Sequence, residues 1–169
     1  MHIDELTRKA SLDFLARSHF GRLACANQSQ PYVTPFYFAY HDQWIYSFAT
    51  IGQKIEWLRA NPLACVEVDE IVNPQEWTSV VVFGRYEELV KSIDDHAPRE
   101  ISFGQLGEPT KSTGEQDTRE LAFRLLQQRQ LWWEPGYART VCRGTPRPLH
   151  PVYFRLSVDE ISGHKATLN

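Results

Sequence analysis

The segment from Trp77 to Val90 (WTSVVVFGRYEELV) constrains the fold of this chain more than any other stretch. Its run of three valines, set among aromatic and β-branched residues, predicts a long strand that is buried on both faces. Gly84 lies inside this strand, where a glycine indicates a bulge or a sharp bend of the kind that a barrel uses to turn. The segment therefore predicts a sheet that curves back on itself.

The other segments with a strand or helix pattern predict a mainly β fold. Five further strands are predicted, over Arg22 to Ala26, Tyr32 to Tyr40, Gln43 to Ala49, Leu63 to Val68 and Val152 to Val158. Helices are predicted over Arg8 to Arg17, directly after Gly52, and over residues 117–131. Because strands and helices do not alternate regularly, a parallel doubly wound sheet is disfavoured. A small antiparallel barrel with peripheral helices, in one domain over residues 1–169, fits this order better.

Two irregular segments interrupt the pattern. Asp69 to Gln75 has the composition of a loop, and residues 92–116 are rich in Asp, Pro, Gly, Ser and Thr with little periodicity. The longer segment predicts a surface excursion, which in a compact domain is either functional or mobile. Pro35 falls inside a predicted strand and indicates an edge, a bulge or a backbone without a ladder partner at that point.

Charge and cysteine content argue against several classes of function. The net charge of −3 gives no electrostatic reason to expect binding to nucleic acid or to an anionic membrane. The three cysteines are isolated from one another and match no zinc or disulfide spacing, so no metal site is predicted. The N-terminus lacks a signal-peptide pattern, and no apolar run approaches the length that spans a membrane. The sequence therefore predicts a cytoplasmic protein.

The segment from Thr34 to Pro62 carries the clearest indication of a ligand. It reads as two strands, a glycine-containing link and a short helix with Lys54 just inside its start. The first N–H groups of a helix lack intrahelical partners, and the macrodipole adds about half a positive charge there, so a cation beside them favours a phosphate. The segment thus predicts a site for a phosphorylated aromatic cofactor, with an ordinary solvated lysine as the alternative. The glycine spacing matches neither a P-loop nor a Rossmann fingerprint.

Several segments, taken in order, resemble a known family. They are GRLA at Gly21 to Ala24, the strand TPFYFAY, the segment GQKIEWLRANP, EVDE, and the strand WTSVVVFGRYEEL. Together they are similar to the pyridoxamine 5′-phosphate oxidase-like, FMN-binding split-barrel superfamily, and nearest to its branch of nitroimidazole-resistance proteins. The resemblance implies a six-stranded antiparallel split β-barrel and a homodimer with FMN at its interface.

The resemblance also implies which residues contact the FMN. One strand would run its backbone along the isoalloxazine ring, and the adjacent strand would lie near the phosphate and the ribityl chain. A third segment would bind the phosphate, and the start of the long valine-rich strand would meet the edge of the ring. The residues that correspond to these parts are Thr34, Pro35, Phe36, Tyr37, Ser47, Phe48, Ala49, Gly52, Gln53, Lys54, Trp77 and Ser79.

This chain departs from the family pattern in two places. The oxidases carry two consecutive basic residues in the phosphate-binding segment, and Gln53 replaces the first of them. Lys54 still attracts a phosphate as a point charge, but the bidentate geometry of an arginine is lost. The substrate-binding residues of the true oxidases near the C-terminus do not align, so oxidation of pyridoxamine phosphate is not expected.

The sequence thus favours an FMN-dependent oxidoreductase that reduces small aromatic or nitro compounds with electrons from NADH or NADPH. Because a flavin performs this chemistry itself, no catalytic residue is assigned. The alternative is a flavin- or haem-binding sensor or carrier without turnover, since some relatives bind haem through a C-terminal histidine and His164 lies near the C-terminus. Trp132 and Trp133 are interpreted as packing residues, with a lid over the pocket as the alternative.

Overall fold

The computed structural model describes residues 1–89, 118–128 and 151–168. Over these ranges the chain forms nine strands and three helices. Their order is β1 (His2–Glu5), α1 (Arg8–Arg17), β2 (Phe20–Asn27), β3 (Gln30–Tyr37), β4 (Ala39–His41), β5 (Trp44–Ala49), α2 (Gln53–Ala60), β6 (Leu63–Asn73), β7 (Glu76–Glu88), α3 (Thr118–Gln127), β8 (Val152–Ser157) and β9 (Glu160–Thr167).

All strand pairs are antiparallel and join into one strongly curved sheet. Its order is β3-β2-β6-β7-β8-β5-β4, with β9 also paired to β7 and β1 paired to β9. The sheet does not close, because its path ends at β3 on one side and at β4 on the other. The predicted fold class, a mainly β split barrel with peripheral helices, is confirmed.

The strand count differs from the six that the sequence predicted. The predicted strand over Tyr32 to Tyr40 divides at Phe38 into β3 and β4, which pair with different neighbours. Strand β1, whose four side chains are all exposed, and strand β9 are not among the six predicted strands. Strand β4 forms a local hairpin with β5, whereas β1 and β9 pair with partners far along the chain.

The predicted loop over Asp69 to Gln75 is wrong for most of its length. Strand β6 continues to Asn73, and β7 begins at Glu76, so only a tight connection separates them. Cross-strand pairing with β7 orders this polar stretch, since Asp69 pairs with Ser79 and Ile71 with Trp77. The segment 92–116, Trp132 and Trp133, and the end of the helix predicted over 117–131 lie outside the described residues.

Strand β7 links the two halves of the sheet. Its residues from Trp77 to Phe83 pair with β9, whereas Tyr86 to Glu88 pair with β8. Gly84 lies between these two sections, where a Cβ atom would stand 1.8 Å from the backbone oxygen of Ser157. Only glycine allows this approach, which occurs where β7 changes its partner from β9 to β8. The register with β6 continues through Gly84 without a shift, so the predicted bulge does not form there, and the sharp bend stays a prediction.

The core lies inside the curve of the sheet. Leu23, Phe38, Ile45, Val80 and Phe154 are among its fully buried members. Helix α1 begins after Thr7, whose hydroxyl accepts a hydrogen bond from the Ala10 N–H, and it buries Phe14 and Leu15. None of the helices in the described ranges is long and apolar enough to cross a membrane.

Candidate functional site

Helix α2 begins at an open N-terminus. Gly52 precedes the first helical residue and offers no side chain to cap it, and no side-chain hydrogen bond closes this end. The N–H groups of Gln53, Lys54 and Ile55 therefore lack the intrahelical partners that later residues have. Ile55 and Leu58 are fully buried and hold the helix against the barrel. This end of α2 can accept an anion.

Lys54 lies beside these N–H groups and is half-buried. Among the described residues no carboxylate forms a salt bridge with it, in contrast to most of the other described lysines and arginines. Burial lowers the pKa of Lys54, and the neighbouring Cys25 acts in the opposite direction. A phosphate group can form an ion pair with such a partly desolvated ammonium, which has no carboxylate partner.

The face of the barrel beside Lys54 comes from β2 and β3. Cross-strand partners point to the same side of a sheet, so Cys25 shares a face with Tyr32, and Leu23 shares it with Thr34. Tyr32 packs edge-on against Trp57 of α2 at a centroid distance of 5.7 Å, which holds the helix to the strand. The structure thus places Thr34 and Lys54 on one side of the sheet.

The remaining residues predicted on β3 differ in exposure. Phe36 is buried on the same face as Thr34 and stacks on Phe38 at 5.3 Å. Pro35 points the other way and is exposed. Tyr37 is buried at the end of the strand. Side-chain contact with a ligand is therefore open to Thr34, whereas Phe36 and Tyr37 have packing roles and offer mainly their backbone.

Strand β5 carries the second predicted group. Ser47 is 1% exposed, and its hydroxyl donates to the carbonyl oxygen of Tyr37 at 2.6 Å. That bond joins β5 to β3 across the side where the sheet is open. Ala49 is buried, and Phe48 is half-buried with its ring 5.5 Å from that of Tyr153. The observed bond gives Ser47 a structural partner inside the protein.

Trp77 and Ser79, the residues predicted at the start of the valine-rich strand, lie on the outer face of the sheet. The Ser79 hydroxyl donates to Glu67 at 3.2 Å, and Glu67 in turn accepts from Arg22 at 3.0 Å. Arg22 also donates to Asp69, and both carboxylates raise the pKa of its guanidinium, Asp69 more strongly. The structure therefore does not bring Ser79 to the side of the sheet that carries Thr34 and Cys25.

Sequence reasoning missed this outer network. Arg22, Glu67 and Asp69 alternate with buried residues on their strands, which indicates a polar face but not which side chains meet. Their register across β2, β6 and β7 brings them together, and the sequence carries no local signal for that register.

A shallow depression of 390 Å³, lined in part by Leu63, Phe83 and Arg85, lies apart from every predicted site residue.

His164, the candidate haem ligand, is an exposed residue of β9 opposite Ser79. Its other neighbour in the sheet is Glu5 of β1. Within the described residues no group of three potential metal ligands comes together. The histidine therefore belongs to the outer face and not to the surroundings of Lys54.

Comparison with known proteins finds relatives over nearly the whole chain. The pattern of the pyridoxamine 5′-phosphate oxidase family matches residues 7–127. An uncharacterized protein of Rhizobium meliloti (strain 1021) is 30% identical over 166 residues, which cover 98% of this chain and 97% of that protein.

Solved structures with the same fold include a FAD-binding protein from Mesorhizobium loti. It is 34% identical to this chain, with a TM-score of 0.71 and 99% of each chain covered. A candidate 5-nitroimidazole antibiotic resistance protein from Bacteroides thetaiotaomicron shares the fold at 14% identity and a TM-score of 0.59, with 98% of this chain and 89% of that chain covered. The similarity thus includes both the α2 segment and the strand of Trp77 and Ser79.

Proposed function

This chain belongs to the pyridoxamine 5′-phosphate oxidase family, and on that premise we propose that it binds FMN and reduces small aromatic or nitro compounds with electrons from NADH or NADPH. The observation that carries the proposal is the open N-terminus of α2 with Lys54 beside it. A flavin phosphate bound there would receive N–H hydrogen bonds and one positive charge. The residues present fit the group.

The chain's own contribution is to bind and orient the cofactor. The flavin, when bound, supplies the hydride and electron transfer. Lys54 would neutralise the phosphate as a point charge, and the half-buried Thr34 lies on the same side of the sheet to direct the flavin along β3. Gln53 is exposed and uncharged, so the phosphate has one cation where the oxidases have two.

We further propose that the active form is a homodimer with the flavin at its interface. Thr34 and Ser79 lie on opposite faces of one sheet. A binding site that uses both residues is therefore complete when a second copy of the chain supplies one of them. The outer face also carries exposed apolar side chains, with Val33 59% and Phe83 51% exposed. Val33, Ala24, Cys65 and Phe83 form one row across β3, β2, β6 and β7. Such a patch is a suitable protein interface.

The relative from Mesorhizobium loti binds FAD, and FMN is the part of FAD that would lie at α2. The Lys54 geometry serves the phosphate that both flavins share. Releasing the chromophore from purified protein and identifying it by chromatography shows whether it is FMN or FAD. Equilibrium sedimentation of the same sample measures whether the flavin-loaded form is a dimer.

The function is tested by anaerobic reduction of the purified protein. We expect a flavin absorption spectrum that bleaches on addition of NADH or NADPH and returns faster with a nitroaromatic acceptor than with air. A flavin that binds but is reduced by neither nicotinamide would favour the alternative, a carrier or sensor without turnover. A Soret band would indicate haem, and a colourless protein that binds no added flavin would refute the proposal.

A further inference from the structure

The two ends of α2 are held in different ways. The N-terminal end, which carries Lys54, has no cap, and the helix is only eight residues long. The C-terminal end is tied to the sheet by side chains: the Nε and Nη2 atoms of Arg59 each lie 2.8 Å from one carboxylate oxygen of Glu88 on β7. Together with the Asn61 side-chain amide, which donates to the Ala26 carbonyl at 2.9 Å, this two-pronged contact holds the arginine's end of the helix to the sheet.

Glu88 is itself held in place. The Tyr86 hydroxyl donates to its carboxylate at 3.1 Å, and the Tyr86 ring packs against Phe154 of β8 at 5.4 Å. The Tyr86 N–H donates to the Pro62 carbonyl, directly after α2, at 2.8 Å. The carboxylate that receives Arg59 is therefore held on the barrel by Tyr86.

The contact contributes little to stability. The side chains of Arg59 and Glu88 are 43% and 32% exposed, and ion pairs of that exposure add little to the free energy of unfolding because water screens them. The hydrogen bonds with Arg59 and Tyr86 lower the pKa of Glu88, the former most strongly, so the carboxylate is charged at neutral pH. The contact is charged, bidentate and well formed, yet it adds little to the free energy of unfolding. Stability therefore does not explain it, and it has another role.

We propose that Arg59 and Glu88 are positioning residues for phosphate binding, because their contact fixes α2 and with it Lys54 and the free N–H groups at the other end. The inference rests on the proposed flavin site. Lys54 and Arg59 are five residues apart, which is about 7.5 Å along the helix axis. A helix this short moves as one body, so a shift at Arg59 displaces the N-terminus by a similar amount. A charged ligand held by one cation and a few N–H groups is sensitive to such a displacement.

The chain supplies a matched control in the adjacent residue. Glu87 forms the same two-pronged contact with Arg155 of β8, at 3.0 and 2.8 Å. This pair joins β7 to β8 and does not involve α2. Substituting Glu88→Gln or Glu87→Gln removes one carboxylate charge in each case while keeping the shape of the side chain.

The experiment measures the dissociation constants of FMN and of riboflavin, which lacks the phosphate, for wild-type protein and both variants. We expect Glu88→Gln to weaken FMN binding by about three- to tenfold, less than the 10- to 100-fold that outer-shell partners contribute at metal sites. Riboflavin binding should not change. Glu87→Gln should leave both constants at their wild-type values.

Two further variants test the route of the effect. Exchanging the charges, with Arg59→Glu and Glu88→Arg together, should restore part of the FMN affinity because the opposite pair can form across the same gap. In a Lys54→Ala background the effect of Glu88→Gln on FMN binding should shrink, since Lys54 is one of the groups that the contact positions.

Several outcomes would overturn the proposal. Equal losses for FMN and riboflavin would show a general structural effect, as would equal effects of Glu87→Gln and Glu88→Gln. If Lys54→Ala weakens FMN binding and Glu88→Gln does not, the flavin site stands and the positioning role is refuted. If wild-type protein binds no flavin at all, both the function proposed above and this inference fail.

Discussion

Two cations of this chain, Lys54 and Arg22, occupy contrasting surroundings. Arg22 on the outer face of the sheet donates to both Glu67 and Asp69, so its charge is more than matched by its neighbours. Lys54 is half-buried at the start of α2 and forms no salt bridge to a carboxylate in the described ranges. A cation with its partners in place stabilises a surface, whereas a desolvated cation without one is available to an anion. On this difference rests our proposal that the ligand site lies at α2.

The largest expected effect is that of Lys54→Ala on FMN affinity. Loss of a charge-assisted contact to the phosphate should weaken binding by about 1.5–3 kcal/mol, which is about 10- to 150-fold. The measurement is flavin-fluorescence titration with FMN and with riboflavin, whose affinity should stay the same. Lys9→Ala is the control, because Lys9 is an exposed lysine 3.8 Å from Asp13 on α1. If Lys54→Ala leaves the FMN affinity unchanged, Lys54 does not bind the phosphate, and it then differs from Arg22 in its surroundings but not in its role.

The pH dependence of binding should sharpen the same contrast. Burial, the larger effect, lowers the pKa of Lys54 below the usual lysine value of 10.5, and Cys25 opposes it. The ratio of FMN to riboflavin affinity should therefore fall as the pH rises through this lowered pKa. Ionisation of the flavin ring cancels in the ratio. In Lys54→Arg, whose guanidinium stays charged, the ratio should be flat over the same range.

Over the same pH range the free energy of unfolding of the flavin-free protein should rise, whereas the ratio of FMN to riboflavin affinity falls. The unfolded chain binds more protons at Lys54 than the folded protein does between the two pKa values, so stability rises with pH there. Chemical denaturation at several pH values measures this contribution by comparing wild type with Lys54→Arg. A lysine of unperturbed pKa would give no difference between the two slopes.

The smallest effect is expected from Arg22→Gln. It removes the partner of two half-buried carboxylates, so the free energy of unfolding should fall by about 0.2–1 kcal/mol, the range of exposed ion pairs. The ratio of FMN to riboflavin affinity should not change, because the outer network lies away from the phosphate end. A fall in that ratio as large as the one in Lys54→Ala would contradict the assignment of the two cations.

Local signals predicted the elements that depend on local chemistry. Helix α1 spans the residues predicted because Thr7 caps it and its apolar residues recur at helical spacing. The start of α2 and the place of Lys54 follow from the glycine before the helix and the Asn61-Pro62 stop after it. The need for a glycine at position 84 was likewise visible, since a glycine inside a valine-rich strand is typical of a close approach of two backbones.

What the sequence could not predict depends on partners far along the chain. The exposed segment of β1 is ordered only by pairing with β9, about 160 residues away. The Ser47 hydroxyl donates to Tyr37, and the Ser79 hydroxyl to Glu67, and both bonds require the register between strands. The family resemblance implied flavin contacts for both serines, and those contacts stay predictions. Register is set by the whole sheet, which a local pattern does not contain.

The prolines of β3 explain why the barrel remains split along one side. Pro31 and Pro35 pair with Ala26 and Arg22 of β2, and since a proline has no N–H, both occupy positions whose backbone points away from β2. The outward edge of β3 thus lacks two of the donors that a ladder to β5 would need. Tyr37, an even number of residues further on, turns its carbonyl the same way, and Ser47 meets it there with a side chain. Because the missing donors are those of two prolines, the opening follows from the sequence of β3 itself. The outward edge of β3 is for the same reason a poor template for adding a strand from another molecule.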